Sequence, residues 1–414
     1  MRIVIVGNGI TGVTAARHVR KAADHSITII SGETDFHFAR TALMYIYMGD
    51  LRYEDTKPYA DEFWARNGLE LVLGHAVRVD TAARCVVLAS GERVSYDRLL
   101  LATGSVPNRF GWEGEYAEGV QGLYSLQDLE RMEASTTDVT SAVVVGGGLI
   151  GVEMAEMLAT RGIDVTFVVR EQRYMEYLLA PDESSLVESA IRAHGVTLEL
   201  GAELKRIEVD EAGRACATHL TDGRRIEGSF VGLAVGVRPR IDLAKASGIE
   251  SGLGILVDDH FRTSTENVFA AGDCAEFRKP FPGRKPVEQL WYTGRSQGRQ
   301  VAAGLLGSPQ AYEPPLFFNS AKFFDLEYQT YGIVPAAVSE GQQEQFWTDG
   351  ERSIRIVYRS ADQVVLGVNA FGIRLRQNVW SHWLRNGATL DRVLAGFDQC
   401  LFDPEFTLRM EVAA

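Results

Sequence analysis

The 414-residue chain is long enough for two or three domains of ordinary size, and its 46% hydrophobic and 23% charged residues are those of a globular protein. No stretch approaches the roughly 20 unbroken apolar residues of a membrane span. The net charge of −13 argues against nucleic acid or an anionic membrane surface as the partner.

The N-terminal apolar run, residues 3–6, is too short for a secretory signal and runs straight into glycines, so a cytoplasmic location is expected. Residues 2–6 read as a strand, 10–21 as a helix and 26–30 as a second strand. Between the first strand and the helix lies Gly7-Asn8-Gly9-Ile10-Thr11-Gly12. In such a turn the first glycine permits the tight bend and the second lets backbone approach a pyrophosphate. The third allows close helix–strand packing, and the helix N-terminus faces the phosphate charge. Glu33 follows the second strand about 20 residues after the last glycine, where a carboxylate can bind ribose hydroxyls.

Short strand signals follow at 69–73 and 85–88, and the apolar run at 98–102 closes in Thr103-Gly104-Ser105-Val106-Pro107, a crossing point between domains. The strand–turn–helix–strand pattern then returns as strand 141–145, Gly146-Gly147-Gly148-Leu149-Ile150-Gly151, helix 149–161 and strand 164–169. This second strand ends in Val169 where an acid would select NAD. Arg170 follows, with Arg173 close by, and arginines here can accept a 2′-phosphate, which favours NADPH. Glu171 keeps NADH open as a ribose acid in a slightly different turn, and both arginines as plain surface charges is the alternative. A second crossing point is Val235-Gly236-Val237-Arg238-Pro239, and prolines 309, 314 and 315 mark a linker. Beyond it, strand signals at 353–358 and 363–368 and a helical stretch at 374–386 read as a separate C-terminal α+β domain. Continuous apolar strands joined by helices indicate parallel sheets, hence an α/β fold.

With both fingerprints in place, the chain resembles the two-dinucleotide flavoprotein reductase superfamily related to glutathione reductase. Ala102-Thr103-Gly104-Ser105 is similar to its ATG motif. Residues 254–258 with Val268-Phe269-Ala270-Ala271-Gly272-Asp273-Cys274-Ala275 are similar to its second FAD motif, where Asp273 would hold the flavin ribitol. The resemblance implies FAD on the first turn and NAD(P)H on the second. It also implies a split FAD domain (1–108 and 240–312), an inserted NAD(P)H domain (109–239) and a C-terminal domain (313–414). The nearer likeness is to reductases that feed ferredoxin or rubredoxin and to the flavin module of nitrite reductases. It is carried by Phe36-His37-Phe38-Ala39-Arg40, by Gly151-Val152-Glu153, by Leu290-Trp291-Tyr292 ahead of Gly294-Arg295-Ser296-Gln297-Gly298, and by the run 317–327. By that likeness Arg40 contacts FAD, Glu153 lies near the nicotinamide and Trp291 faces the flavin. Thr11, Val77, Thr103, Gly104, Gly272, Ile150 and Gly236 join the glycines as cofactor-binding residues.

The departures narrow the chemistry. Cys85, Cys216, Cys274 and Cys400 are scattered, with no CxxC pair, metal spacing or disulfide framework, and the segment Arg40-Thr41-Ala42-Leu43-Met44-Tyr45 lacks the catalytic cysteine of related peroxidases. Thiol catalysis is therefore not expected. The related ferredoxin reductases carry a lysine near the flavin where this chain has Tyr45; Lys57 is an alternative source of that charge. The function implied is an FAD-dependent NAD(P)H oxidoreductase whose acceptor is a small acidic electron carrier such as ferredoxin or rubredoxin; the basic loop at 278–285 is either its docking site or an ordinary solvated charged loop. A quinone or other small-acceptor reductase and a flavin-dependent redox sensor are the rivals. A homodimer is admitted, and isolated histidines 37, 260 and 382 suggest no metal site.

Overall fold

Apolar runs such as Arg2–Val6 become parallel strands because both of their faces are covered: Ile3, Val4 and Ile5 are at most 1% exposed. Each such side chain contributes about 1.5–3 kcal/mol on burial. The computed structural model describes residues 1–403 and divides into two units. The first comprises Met1–Asn108, Leu123–Ala134 and Gly236–Pro315. The second comprises Arg109–Gly122, Ser135–Val235 and the chain from Leu316 on.

The first unit is built on a five-stranded parallel sheet in the order Val268–Ala270, Arg98–Leu101, Arg2–Val6, Ser26–Ser31, Leu69–Leu73. The strand that completes it comes from more than 160 residues beyond its neighbour, so the fold of this unit is discontinuous in sequence. The Ile10–Ala22 helix crosses the Trp291–Leu305 helix at small residues: a Cβ on Gly298 would lie 2.4 Å from the Thr11 carbonyl oxygen. A small three-stranded antiparallel sheet (Ala76–Asp80, Cys85–Leu88, Arg93–Ser95) and the short pair Ser105–Pro107 with Val237–Pro239 complete it.

The second unit repeats the arrangement. Its parallel sheet runs Thr197–Leu200, Asp164–Val169, Ser141–Val145, Phe230–Leu233, Val120–Gln121. Both sheets therefore show the doubly wound order, with the chain reversing direction beside the first strand of the motif. The segment after Leu316 adds a five-stranded antiparallel sheet, Phe318–Phe323, Leu326–Gly332, Val365–Phe371, Ser353–Arg359, Gln342–Thr348. The Gln377–Arg385 helix covers it with Trp380 and Trp383, and the sheet has its own core. This segment shares a unit with residues 135–235. They are joined by a buried ionic cluster in which Arg355 (1% exposed) reaches Glu183 (0%) at 3.6 Å and donates to Glu344 Oε2 at 2.7 Å. Asn369 Nδ2 donates to the other Glu183 oxygen at 3.1 Å.

Candidate functional site

The two glycine turns have the same geometry. Gly7 and Gly146 adopt φ of +118° and +114°, where a Cβ would strike the Ala102 and Ala234 carbonyl oxygens at 2.1 and 2.3 Å. A Cβ on Gly12 or Gly151 would come 2.0 Å from the Gly7 or Gly146 oxygen, so helix and strand close only on glycine. The middle glycines differ: around Gly9 and around Gly148 no protein atom lies within 4 Å of an added Cβ. Neither helix has a side-chain cap or an acid in its first turn, which leaves its N-terminal N–H groups to an anion. A dinucleotide pyrophosphate fits both turns on these grounds.

Around the first turn, Glu33 and Arg40 form a two-point ion pair, Nη1 to Oε1 at 2.9 Å and Nη2 to Oε2 at 2.5 Å. Glu33 Oε1 also accepts the Leu126 backbone N–H at 3.0 Å, at the start of the Leu126–Ser135 helix. Arg40 lies between the rings of Phe38 and Tyr124, 5.4 and 4.5 Å from their centroids. His37 is buried and neutral: its Nδ1–H donates to the Asn8 carbonyl at 2.8 Å, and burial pushes its pKa down to about 4. Thr11 lies against Gly272 and Gly294, where an added Cβ would meet its hydroxyl at 2.4 and 2.8 Å.

Asp273 follows Gly272, whose N–H donates to Gln297 Oε1 at 2.7 Å. Burial raises the Asp273 carboxyl to about 6, and Ser105 Oγ donates to it at 3.3 Å while accepting from Gln289 Nε2 at 2.7 Å. Thr103 donates to the Arg240 carbonyl at 2.7 Å, which in turn fixes the two crossing segments together, and Gly104 accepts from Arg240 N–H at 2.9 Å. Gly236 (φ +86°) accepts from Asn108 N–H at 3.0 Å in the same pair of segments. Gln289 gave no signal in the sequence and Ser105 appeared there only as the end of the ATG-like motif, because their hydrogen bonds join residues 168 and 184 apart.

Tyr45 is half-buried on the Leu43–Met48 helix, and Trp291, also half-buried, opens the Trp291–Leu305 helix with Arg295 5.5 Å from its ring. Val77 stands 42% exposed on the Ala76–Asp80 strand. Lys57 is paired with Asp61 at 2.7 Å.

In the second unit, Val169 is fully buried against Gly147, and Ile150 lies half-buried in the first turn of the Leu149–Thr160 helix. Arg170 is 73% exposed and pairs with Glu171 at 3.0 Å; Arg173 is exposed. Glu153 lies in the second turn of the helix rather than the first, so complementing the helix dipole does not account for it. It is half-buried, and burial first and Glu156 second push its carboxyl up to about 7. Tyr174, fully buried, donates its hydroxyl to the Gly148 carbonyl at 3.3 Å. Nothing in the sequence pattern marked it.

Two further expectations change. His260 is not isolated: its Nδ1 lies 2.5 Å from Asp259, and Asp258 is adjacent, but Arg262 and two backbone N–H groups already hold Asp258. In the basic loop, Arg278 is paired with Glu250 and Arg284 with Glu288, which leaves Lys279 and Lys285 as its exposed charges without those ion pairs. The four cysteines are free; Cys85, Cys274 and Cys400 are buried and Cys216 is half-buried. Burial pushes the Cys216 and Cys274 thiols up, and that of Cys400 up to about 12. Among the described residues no helix is long and apolar enough to cross a membrane.

Residues 1–298 match the family model described as pyridine nucleotide-disulphide oxidoreductase. The 5,5'-dehydrodivanillate O-demethylase ferredoxin reductase subunit of Sphingobium sp. is 30% identical over 366 residues, 87% of this chain and 88% of the relative. The rubredoxin-NAD(+) reductase of Pseudomonas putida is 31% identical over 331 residues, 79% of this chain and 86% of the relative. The fold is that of a ferredoxin reductase from Rhodopseudomonas palustris, with a TM-score of 0.81 at 23% identity over 98% of this chain and 96% of the other. The paired glycine turns, the sheet order and these matches converge: the chain belongs to the pyridine nucleotide-disulphide oxidoreductase family and is an FAD-dependent NAD(P)H oxidoreductase.

Proposed function

We propose that the protein delivers electrons from NAD(P)H, by way of FAD, to a small electron-carrier protein of the ferredoxin or rubredoxin kind. The observation that carries this reading is the state of its thiols. None is exposed or paired, and three are pushed toward the protonated form by burial, so no thiolate is set up to receive electrons inside the chain. The relatives named for ferredoxin and rubredoxin reduction support an external carrier.

Bound FAD supplies the conversion of a two-electron hydride donor into electrons for the carrier. In this reading residues 1–108 and 240–312 hold FAD, 109–239 hold the nicotinamide dinucleotide, and 313–414 form the C-terminal α+β domain. Backbone at Gly9 and Gly148 receives the two pyrophosphates. Glu33, Arg40 and Asp273 bind along the flavin dinucleotide, with Trp291 and Tyr45 toward the ring, and Glu153 orients the nicotinamide. At the Val169 edge, Arg170 and Arg173 favour NADPH over NADH. Replacing both by alanine lowers kcat/KM for NADPH about tenfold, the value of one charge-assisted contact, and spares NADH.

Docking of an acidic carrier would fall to Lys279 and Lys285. The test is steady-state NAD(P)H oxidation by the flavin-loaded protein with ferredoxin, rubredoxin, quinone, ferricyanide or oxygen as acceptor. Turnover that depends on a carrier, weakens with salt and weakens in Lys279→Glu/Lys285→Glu supports the reading. Fast turnover on quinone or oxygen with no carrier sinks it.

A further inference from the structure

The segment after Leu316 brings one cation to the helix that carries Glu153. On the Phe318–Phe323 strand, Lys322 extends its Nζ to 2.7 Å from Glu156 Oε1. Glu156 is 9% exposed and lies three residues beyond Glu153 on the Leu149–Thr160 helix, a spacing that puts the two side chains on one face with Cβ atoms about 5–6 Å apart. The second Glu156 oxygen is buried and has no hydrogen-bond partner, so Lys322 is the ion-pair partner of that carboxylate. The Glu156 charge disfavours the ionisation of Glu153, and a cation held against Glu156 opposes that effect.

The ionisable surroundings are few, though Lys322 also faces Glu327 across the strand pair, and Glu327 is itself held by Arg374. On the flanking strands, Ser141–Val145 and Phe230–Leu233 carry none, and the one on Asp164–Val169 is Asp164, at its exposed start. Tyr174 faces Glu153 from the loop after that strand, with its hydroxyl kept protonated by burial and by Tyr177 and Glu153. From the end of the Pro181–Ala193 helix His194 faces Glu156, and both its ring nitrogens meet acceptors, the Ala190 carbonyl and Asp325, at 2.8 Å. Asp325 sits in the turn that follows Lys322, so the same hairpin contributes both contacts.

We propose that Lys322 is a positioning residue for the nicotinamide site: by pairing with Glu156 it keeps Glu153 available as a carboxylate beside the nicotinamide ring. This rests on the reading of Glu153 given above and gives the C-terminal sheet a part in the reaction. An ionised Glu153 favours the cationic ring of the oxidised dinucleotide over the neutral ring of the reduced one. Loss of the lysine leaves the Glu156 charge to act on Glu153 uncompensated.

The test is calorimetric binding of NAD+ and of NADP+ to the oxidised, flavin-loaded protein across the neutral pH range. In the unaltered protein affinity rises with pH about a midpoint near 7, the value to which Glu153 is raised. Lys322→Met moves that midpoint up by on the order of one unit, and Lys322→Arg restores it. Glu156→Gln, which removes the opposing charge without touching the lysine, moves it down, and does so also in the Lys322→Met background. Glu153→Gln abolishes the step. A midpoint unmoved by Lys322→Met and by Glu156→Gln, with the step still lost in Glu153→Gln, overturns the role of Lys322 alone. A step that survives Glu153→Gln overturns the reading of Glu153 and the proposal with it.

Discussion

Glu33 and Arg40, seven residues apart, are locked to one another through both oxygens and both terminal nitrogens, and the same carboxylate caps the helix that begins at Leu126. Read from sequence, these were two separate contacts to the flavin dinucleotide; in the fold they are one electrostatic unit. With the side chains 30% and 19% exposed, the pair lies between a surface bridge and a buried one. Arg40→Leu is therefore expected to destabilise the protein by about 1–2 kcal/mol, and to lower flavin content because Glu33 loses the group that orients it. Urea unfolding with the ratio of flavin to protein absorbance checks both. Unchanged stability and flavin content would remove the pair from the site.

The glycines of the two turns are predicted to fail in different ways. Gly12→Ala and Gly151→Ala force a Cβ to within 2.0 Å of a carbonyl oxygen, so both variants lose folded protein. Gly9→Ala and Gly148→Ala meet no protein atom, so both fold. Gly9→Ala should come off purification depleted of flavin. Gly148→Ala should stay yellow yet no longer bleach on anaerobic addition of NAD(P)H. The reverse pattern would exchange the two sites.

Asp273 makes a pH prediction with a definite sign. Its folded pKa, about 6, lies above the ordinary 3.8, so between those values the folded chain holds a proton that the unfolded chain has released. Stability from this group is present below the unfolded value and is lost as pH rises toward about 6. In flavin-stripped protein, Asp273→Asn should unfold at higher urea than the parent above neutrality and at the same urea near pH 4. Its flavin affinity should nonetheless fall. Parallel stability curves at all pH values would refute the raised carboxyl.

Arg355 and Glu183, both shielded from water, are predicted to be structural. Arg355→Met strands Glu183 as a buried charge and should cost about 3–5 kcal/mol, read as a lower melting temperature. Adding Glu183→Gln should recover much of that loss. A single Arg355→Met variant as stable as the parent would contradict the buried pair.

The elements that sequence analysis read well are those whose cause is local. The strand at 141–145, the strand at 164–169 and the helix opening at Leu149 lie where the apolar run and the glycine turn put them, because a tight bend at Gly146 is a requirement of neighbouring backbone atoms. The Trp291–Leu305 helix was not read, because the glycines at 294, 298 and 304 weaken helical propensity and are tolerated only where Thr11 and Phe269 press against them. The histidine at 260 and the arginines at 278 and 284 have partners that the sequence does not reveal, for a related reason: a charge looks free in sequence until the fold supplies its partner.

What the sequence determined by itself is the pair of dinucleotide-type turns and the want of a paired or activated thiol, since both follow from residue identity and short-range geometry. Tertiary structure alone decided which polar groups meet: Asp273 with Ser105, Glu33 with Arg40 and Leu126, Lys322 with Glu156. Two of those contacts, Asp273 with Ser105 and Lys322 with Glu156, join residues more than a hundred apart and Glu33 meets Leu126 from 93 away, and no local pattern encodes where such distant groups will come within reach of a hydrogen bond.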